Sequence, residues 1–120
     1  MKKYQLGEME QKFADMIWKH EPVTSRKLTE LCGREFNWKR TTTYTMLRRL
    51  CDREIFKNRN GMVISLMSRD EFFLLQGERF LEESFEGSLP RFIAAFTSRK
   101  KLSEREVQEI QRLIDGHRED

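Results

Sequence analysis

Residues 38–51 read WKRTTTYTMLRRLC, and this stretch decides the fold. Placed on a helix at about 100° per residue, with Leu47 as origin, it divides into two faces. Thr43, Tyr44, Met46, Leu50 and Cys51 share the side of Leu47. Thr41, Thr42, Thr45, Arg49 and Asp52 lie opposite, Arg48 stands at the margin, and Lys39 and Arg40 precede the first turn. Threonine is a mediocre helix former, so four of them in five positions do not serve helix stability. Thr hydroxyls can bond base edges or phosphates, Thr methyls can meet thymine methyls, and Arg can bond guanine bidentately. The pattern predicts a recognition helix for the DNA major groove, carried by Lys39, Arg40, Thr41, Thr42, Thr45, Arg48 and Arg49. The competing reading is a solvated helix whose polar face has no ligand.

The flanking sequence predicts two helices before this one. Leu6, Met9, Phe13, Met16 and Ile17 recur at amphipathic spacing over residues 6–20, and His20-Glu21-Pro22 ends that run. His20 has no second ligand nearby and no metal role. Thr24 reads as an N-cap, with Val23 and Leu28 at the spacing of a hydrophobic staple. Leu28, Leu31 and Cys32 form the buried side of the second helix, and Gly33 reads as its stop. Ser25, Arg26 and Lys27 occupy its first turn, where N–H groups and positive charge could hold a phosphate.

After Cys51 the period shortens. Residues 55–58 and 62–67 read as two strands around Asn60-Gly61, a pair suited to a type I′ hairpin turn. Lys57, Arg59 and Asn60 decorate it. Three helices and a basic hairpin give a winged helix-turn-helix, the hairpin adding backbone contacts beside the recognition helix.

Beyond residue 67 the chain is helical again. Ser68-Arg69-Asp70-Glu71 and Ser103-Glu104-Arg105-Glu106 are capping boxes. The first opens a long helix closed by Gly87, and the second opens a last helix stopped by Gly116. A short helix from Ser88-Leu89-Pro90 lies between them. The fold class is therefore mainly α with a small β-hairpin, with residues 1–67 a winged-helix domain and 68–120 a three-helix domain. About 53 residues carrying many large apolar side chains make a marginal monomer. A core shared with a second copy resolves this through Phe72, Phe80, Phe85, Phe92, Ile93, Phe96, Val107, Ile110, Leu113 and Ile114. Packing back onto residues 1–67 is the alternative.

Composition agrees with a soluble protein of modest cores. The chain has 120 residues, 36% charged and 38% hydrophobic. Residues 1–67 hold 14 Lys and Arg against 8 Asp and Glu, while residues 68–120 hold 9 against 12. A basic front half suits a module that meets a polyanion with one end. No apolar run approaches the roughly 18 residues of a membrane span. The opening MKKYQLGEMEQ lacks an apolar core, so no signal peptide or membrane insertion is expected and the cytoplasm is the default. Two cysteines, Cys32 and Cys51, give neither a disulfide framework nor zinc spacing, and both are expected to be buried thiols rather than redox sensors. No catalytic set, phosphate loop, metal cluster or cofactor motif is visible, which argues against an enzyme. A winged-helix module that binds protein instead of DNA remains the other alternative.

With these elements placed, the chain resembles the penicillinase-repressor family of transcriptional repressors, the BlaI/MecI/CopY type. The matching residues are Leu6-Gly7-Glu8, Pro22-Val23-Thr24, Trp38, the Thr42-x-x-Thr45-Met46-Leu47-x-Arg49-Leu50 core, Asn60-Gly61, Ser68-Arg69-Asp70-Glu71 and Leu102-Ser103-Glu104-x-Glu106-Val107. The resemblance covers nearly the whole chain. It implies a homodimeric repressor that reads palindromic TACA/TGTA-type operators, with Thr42, Thr45 and Arg49 facing the groove. It also implies release from DNA by proteolysis triggered by a membrane sensor. The bond corresponding to the family's Asn-Phe cleavage site is Ala95–Phe96, where the Asn is missing. Glu54 stands where the family usually has a helix-ending glycine, and the paired Cys-x-Cys motifs of the copper-responsive branch are absent. The alternative to cleavage is that Ala95 and Phe96 are plain dimer-core residues and release follows another signal.

Overall fold

The structure, a computed structural model, describes residues 5–118. Residues 1–4, which hold the two lysines of the opening stretch, and residues 119–120 lie outside the described residues. The order of elements is α1 (Glu8–His20), β1 (Val23–Thr24), α2 (Ser25–Phe36), α3 (Arg40–Asp52), β2 (Phe56–Arg59), β3 (Met62–Ser65), α4 (Arg69–Phe85), α5 (Leu89–Arg99) and α6 (Glu104–Arg118). This is a winged helix followed by helices, as the sequence predicts.

Local chemistry sets most of these bounds. Gly7 N–H donates to Glu10 Oε1 at 2.9 Å at the start of α1. Thr24 caps α2 by accepting from Lys27 N–H at 3.0 Å. Ser68 accepts from Glu71 N–H at 3.0 Å, and Ser88 from Arg91 N–H at 3.2 Å. The Ser103 box is reciprocal: Glu106 N–H donates to Ser103 Oγ at 3.1 Å, and Ser103 N–H to Glu106 Oε1 at 3.0 Å. Each such cap stabilises its helix by about 1 kcal/mol. Asn60 and Gly61 take φ values of 52° and 89°, as a type I′ turn needs.

Two glycines expected to end helices do not. Gly33 lies inside α2, which continues to Phe36 and closes on Asn37 in the left-handed region, φ 56°. A Cβ on Gly33 would meet the Trp38 carbonyl at an ordinary 3.7 Å, so the position does not require glycine. Gly116 likewise lies within α6, which runs on to Arg118. The recognition stretch also starts later than its periodicity suggests. Trp38 precedes the helix and packs on Phe13 at 5.5 Å and Phe36 at 5.0 Å between ring centroids.

Val23 and Thr24 do more than precede α2. They form a third strand, and the sheet runs β1-β3-β2, all antiparallel. Val23 pairs with Val63, Thr24 with Met62, and Arg59 with Met62. The core beneath the sheet is built from Phe13 and Ile17 of α1, Leu28 and Cys32 of α2, Leu47 and Leu50 of α3, and Ile55, Phe56 and Val63 of the hairpin region. Burial of each large side chain is worth about 1.5–3 kcal/mol.

The chain forms two compact units, Met1–Glu78 and Arg79–Asp120. Secondary structure changes at Ser68, but packing changes ten residues later, inside α4. Phe72 accounts for the offset. It is fully buried in the first unit, 5.5 Å from Trp18 between ring centroids. Trp18 Nε1 donates to the Met67 carbonyl at 3.0 Å, and Arg69 Nε meets Asp15 Oδ1 at 2.9 Å. The start of α4 therefore belongs to the winged-helix core, and Phe72 is not on a free dimerisation face.

The second unit is held differently. Phe80, Phe85 and Phe92 meet edge to face, with centroids 5.4–5.9 Å apart, and Phe96 packs on Phe92 at 5.9 Å. Among its described residues none is buried. Ile93, Phe96, Val107, Leu113 and Ile114 are all at least 40% exposed.

Candidate nucleic-acid interface

The proposed groove-facing residues lie together on α3. Thr43, Leu47 and Leu50 are buried on its inner side. Arg40, Thr41, Thr42, Thr45, Arg48 and Arg49 are exposed, as is Lys39 at the N-cap. Lys57, Arg59 and Asn60 are exposed on β2 and the hairpin turn. The helix thus has the two-faced character that the sequence predicts.

The N-termini separate α2 and α3 from the other helices of the first unit. The first turn of α1 carries Glu8 and Glu10, and that of α4 carries Asp70 and Glu71. These carboxylates complement the positive end of the helix dipole. The first turns of α2 and α3 contain no acid. Lys39 has no side-chain cap hydrogen bond, and Arg40 adds a second cation there. Cations at this end cost the isolated helix a few tenths of a kcal/mol, a cost removed when an anion approaches.

The phosphate site expected at Ser25, Arg26 and Lys27 is smaller than the sequence suggests. Ser25 N–H donates to the Gly61 carbonyl at 2.8 Å, and Lys27 N–H is taken by Thr24. Lys27 Nζ lies 3.6 Å from Glu30. Arg26 remains exposed. The Ser25–Gly61 bond has a different use: it fastens the hairpin turn to the start of α2.

Tyr44 extends that junction to α3. Its hydroxyl donates to Ser25 Oγ at 3.5 Å, and the Arg40 guanidinium stands 5.6 Å over its ring. A hydrogen bond given back by the Ser25 hydroxyl to the phenolate, followed by the Arg40 contact, holds the phenol below its ordinary pKa. The periodicity gave no sign of this link, because it joins residues 25, 44 and 61.

The hydroxyls of the groove-facing threonines are not equivalent. Thr45 Oγ1 donates to the Thr41 carbonyl at 2.9 Å. Thr41 and Thr42 have no such bond among the described residues. Arg49 Nη1 lies 3.8 Å from Met46 Sδ, a soft contact that leaves the guanidinium free to turn.

The cysteines divide. Cys32 is fully buried, and burial pushes its thiol up to about 11 despite the Thr43 hydroxyl nearby. Cys51 is only half-buried, contrary to expectation. With Tyr44, Leu47, Arg48 and Asn58 it lines a hollow of about 230 Å³ between α3 and β2. Burial raises its pKa as well.

The candidate dimerisation residues Phe80, Phe85, Phe92, Ile93, Phe96, Val107, Ile110, Leu113 and Ile114 lie in the second unit and are exposed or half-exposed. Ala95 and Phe96 lie inside α5, both exposed. Among the described residues no helix is long and apolar enough to cross a membrane.

Comparison with known proteins agrees with this architecture. A penicillinase repressor of Bacillus licheniformis is 23% identical over 118 residues, covering 95% of this chain and 92% of the relative. The family model described as penicillinase repressor matches residues 6–116, and the chain belongs to that family of transcriptional repressors.

Proposed function

We propose that the chain is a homodimeric, sequence-specific DNA-binding repressor that acts in the cytoplasm on palindromic operators. The observation that supports it most is the outer face of α3: three exposed threonines and three exposed arginines on a helix whose first turn carries no acid. A protein-binding winged helix has no need of that combination. Arg49 and the threonines supply base contacts, while Lys57, Arg59 and Asn60 of the hairpin hold the backbone.

Dimerisation rests on the second unit. A helical unit with no buried residue among those described cannot offset the entropy of ordering its chain. A second copy set against the apolar faces of α5 and α6 completes the core and places two recognition helices against inverted half-sites. Control of a penicillinase gene fits the name of the relative. A membrane sensor that triggers cleavage at Ala95–Phe96 is one route of release. Loss of the dimer through another signal is the other, and the missing Asn favours it.

The test is a gel shift with genomic DNA flanking the protein's own gene, repeated across a salt series. Sequence-specific retention whose logarithm falls with log salt, at about −0.9 per phosphate neutralised, is the expected result. Failure to retain any duplex above random DNA overturns the reading.

A further inference from the structure

The threonine face of α3 contains an asymmetry that composition does not reveal. Thr45 spends its hydroxyl donor on the Thr41 carbonyl, at 2.9 Å. Thr residues in helices favour this rotamer because the hydroxyl recovers a bond from the preceding turn. The side chain is exposed, and with the hydroxyl proton engaged the methyl is the group it has to offer a ligand. Thr41 and Thr42, a turn closer to the N-terminus, keep their hydroxyls unengaged among the described residues.

We infer that Thr45 is a specificity-determining residue that reads the 5-methyl group of a thymine by apolar contact, and gives no hydroxyl proton to a base edge. This rests on the proposed DNA reading by α3. A hydroxyl already donated would have to break its bond to Thr41 before giving its proton to a base. A methyl needs no such exchange, and the major groove presents the thymine methyl as its one apolar landmark. Thr41 and Thr42, with free hydroxyls beside Lys39 and Arg40, are then the polar members of the same face. Arg49, one turn beyond Thr45, can serve a neighbouring guanine.

The two chemistries separate cleanly in substitutions. Thr45→Val keeps the methyl and the β-branched shape and removes the hydroxyl. Thr45→Ser keeps the hydroxyl and removes the methyl. Position 45 is exposed, and circular dichroism checks that each variant folds.

The experiment begins with duplexes selected by the full-length wild-type protein from a randomised library. Each thymine of the selected duplex is then replaced by uracil, which deletes only the methyl. The inference expects one thymine per half-site where uracil weakens the wild-type protein about four-fold, the worth of one buried methyl group. Thr45→Val should match the wild type within about two-fold and show the same uracil sensitivity. Thr45→Ser, which loses the methyl from both copies of the dimer, should bind the thymine duplex about 15-fold more weakly and be indifferent to uracil at that position. Full affinity in Thr45→Ser with a loss in Thr45→Val would overturn the inference and assign the contact to the hydroxyl. Uracil sensitivity that persists unchanged in Thr45→Ser would also overturn it, by placing the methyl against another residue. Enrichment of no sequence from the library would overturn the DNA reading itself, and the inference with it.

Discussion

Leu113→Ala separates a dimer-forming second unit from a self-sufficient one, because the two give effects of opposite sign. Leu113 is 74% exposed in the single copy. It shares with Val107, Ile110 and Ile114 a stripe about 120° wide on α6. In a lone copy, alanine at so exposed a position gains slightly in helix propensity, so thermal stability holds or rises a little. In a dimer the missing coverage comes from the partner. Leu to Ala removes three carbons, worth about 2.4 kcal/mol when fully buried. Three-quarters of that, about 1.8 kcal/mol, is at stake in each copy. A two-fold axis repeats it, so about 3.6 kcal/mol separates variant from wild type, or about 400-fold in the dimer dissociation constant. Sedimentation velocity across a concentration series, with melting curves at two concentrations, reads both quantities. Unchanged self-association of Leu113→Ala, or a wild-type melting temperature independent of concentration, refutes the reasoning.

Other outcomes follow from the winged-helix unit. Arg49→Ala should lower operator affinity by about 1–3 kcal/mol at fixed salt without altering the helical signal, and an unchanged affinity in gel shifts would mean that α3 is not the reading helix. Lys57→Ala and Arg59→Ala should weaken all duplexes alike and each shallow the salt slope by about one unit, whereas a selective loss on one operator would assign base readout to the hairpin. The Cys32 thiol, held near 11 when folded against 9.0 for the ordinary thiol, keeps its proton in the folded chain after the unfolded chain has lost it. Its contribution to stability is therefore complete below pH 9 and is lost as pH rises towards 11. Denaturant melts over that window should decline in the wild type and flatten in Cys32→Ala, and a decline that persists in the variant would assign it to other groups.

What was legible in the sequence was what neighbouring residues decide among themselves. Ser68, Ser88, Ser103 and Thr24 cap helices with donors three residues on, and Asn60-Gly61 turns the hairpin. The two faces of α3 follow from a period, so the exposure of Thr41, Thr42, Thr45 and Arg49 could be read directly. The misses are contacts across the chain. The strand at Val23–Thr24 is too short for a period and exists only because β3 lies beside it. Gly33 carries the symbol of a helix stop, yet α2 runs through it and closes on Asn37. Phe72 fits an amphipathic α4 equally well facing a partner or facing Trp18, and only the fold chooses. Cys51 sits beside Leu47 and Leu50 on a helical wheel, yet the hollow under β2 leaves it half open.

The Ala95–Phe96 bond shows how dimerisation and release oppose one another in the proposed mechanism. The bond is embedded in α5, where the Ala95 carbonyl accepts from Ser98 Oγ at 2.7 Å and the Phe96 carbonyl accepts from Lys100 N–H at 3.0 Å. A protease takes its substrate extended, so several residues of α5 must unwind and the Phe92–Phe96 contact must be lost. In a lone copy that opening is cheap, because the unit around it has no buried residue among those described. In a dimer the same opening also uncovers the partner's apolar face. Dimerisation thus shields the bond, and whatever loosens the dimer both exposes it and releases DNA. Release does not require the cut. Two linked recognition units make the second half-site contact intramolecular, and losing the link forfeits about 10²–10⁴ in affinity with α3 untouched. Cleavage after loosening would make that loss irreversible, and in the proposed mechanism a chain with Ala at position 95 would keep only the reversible part.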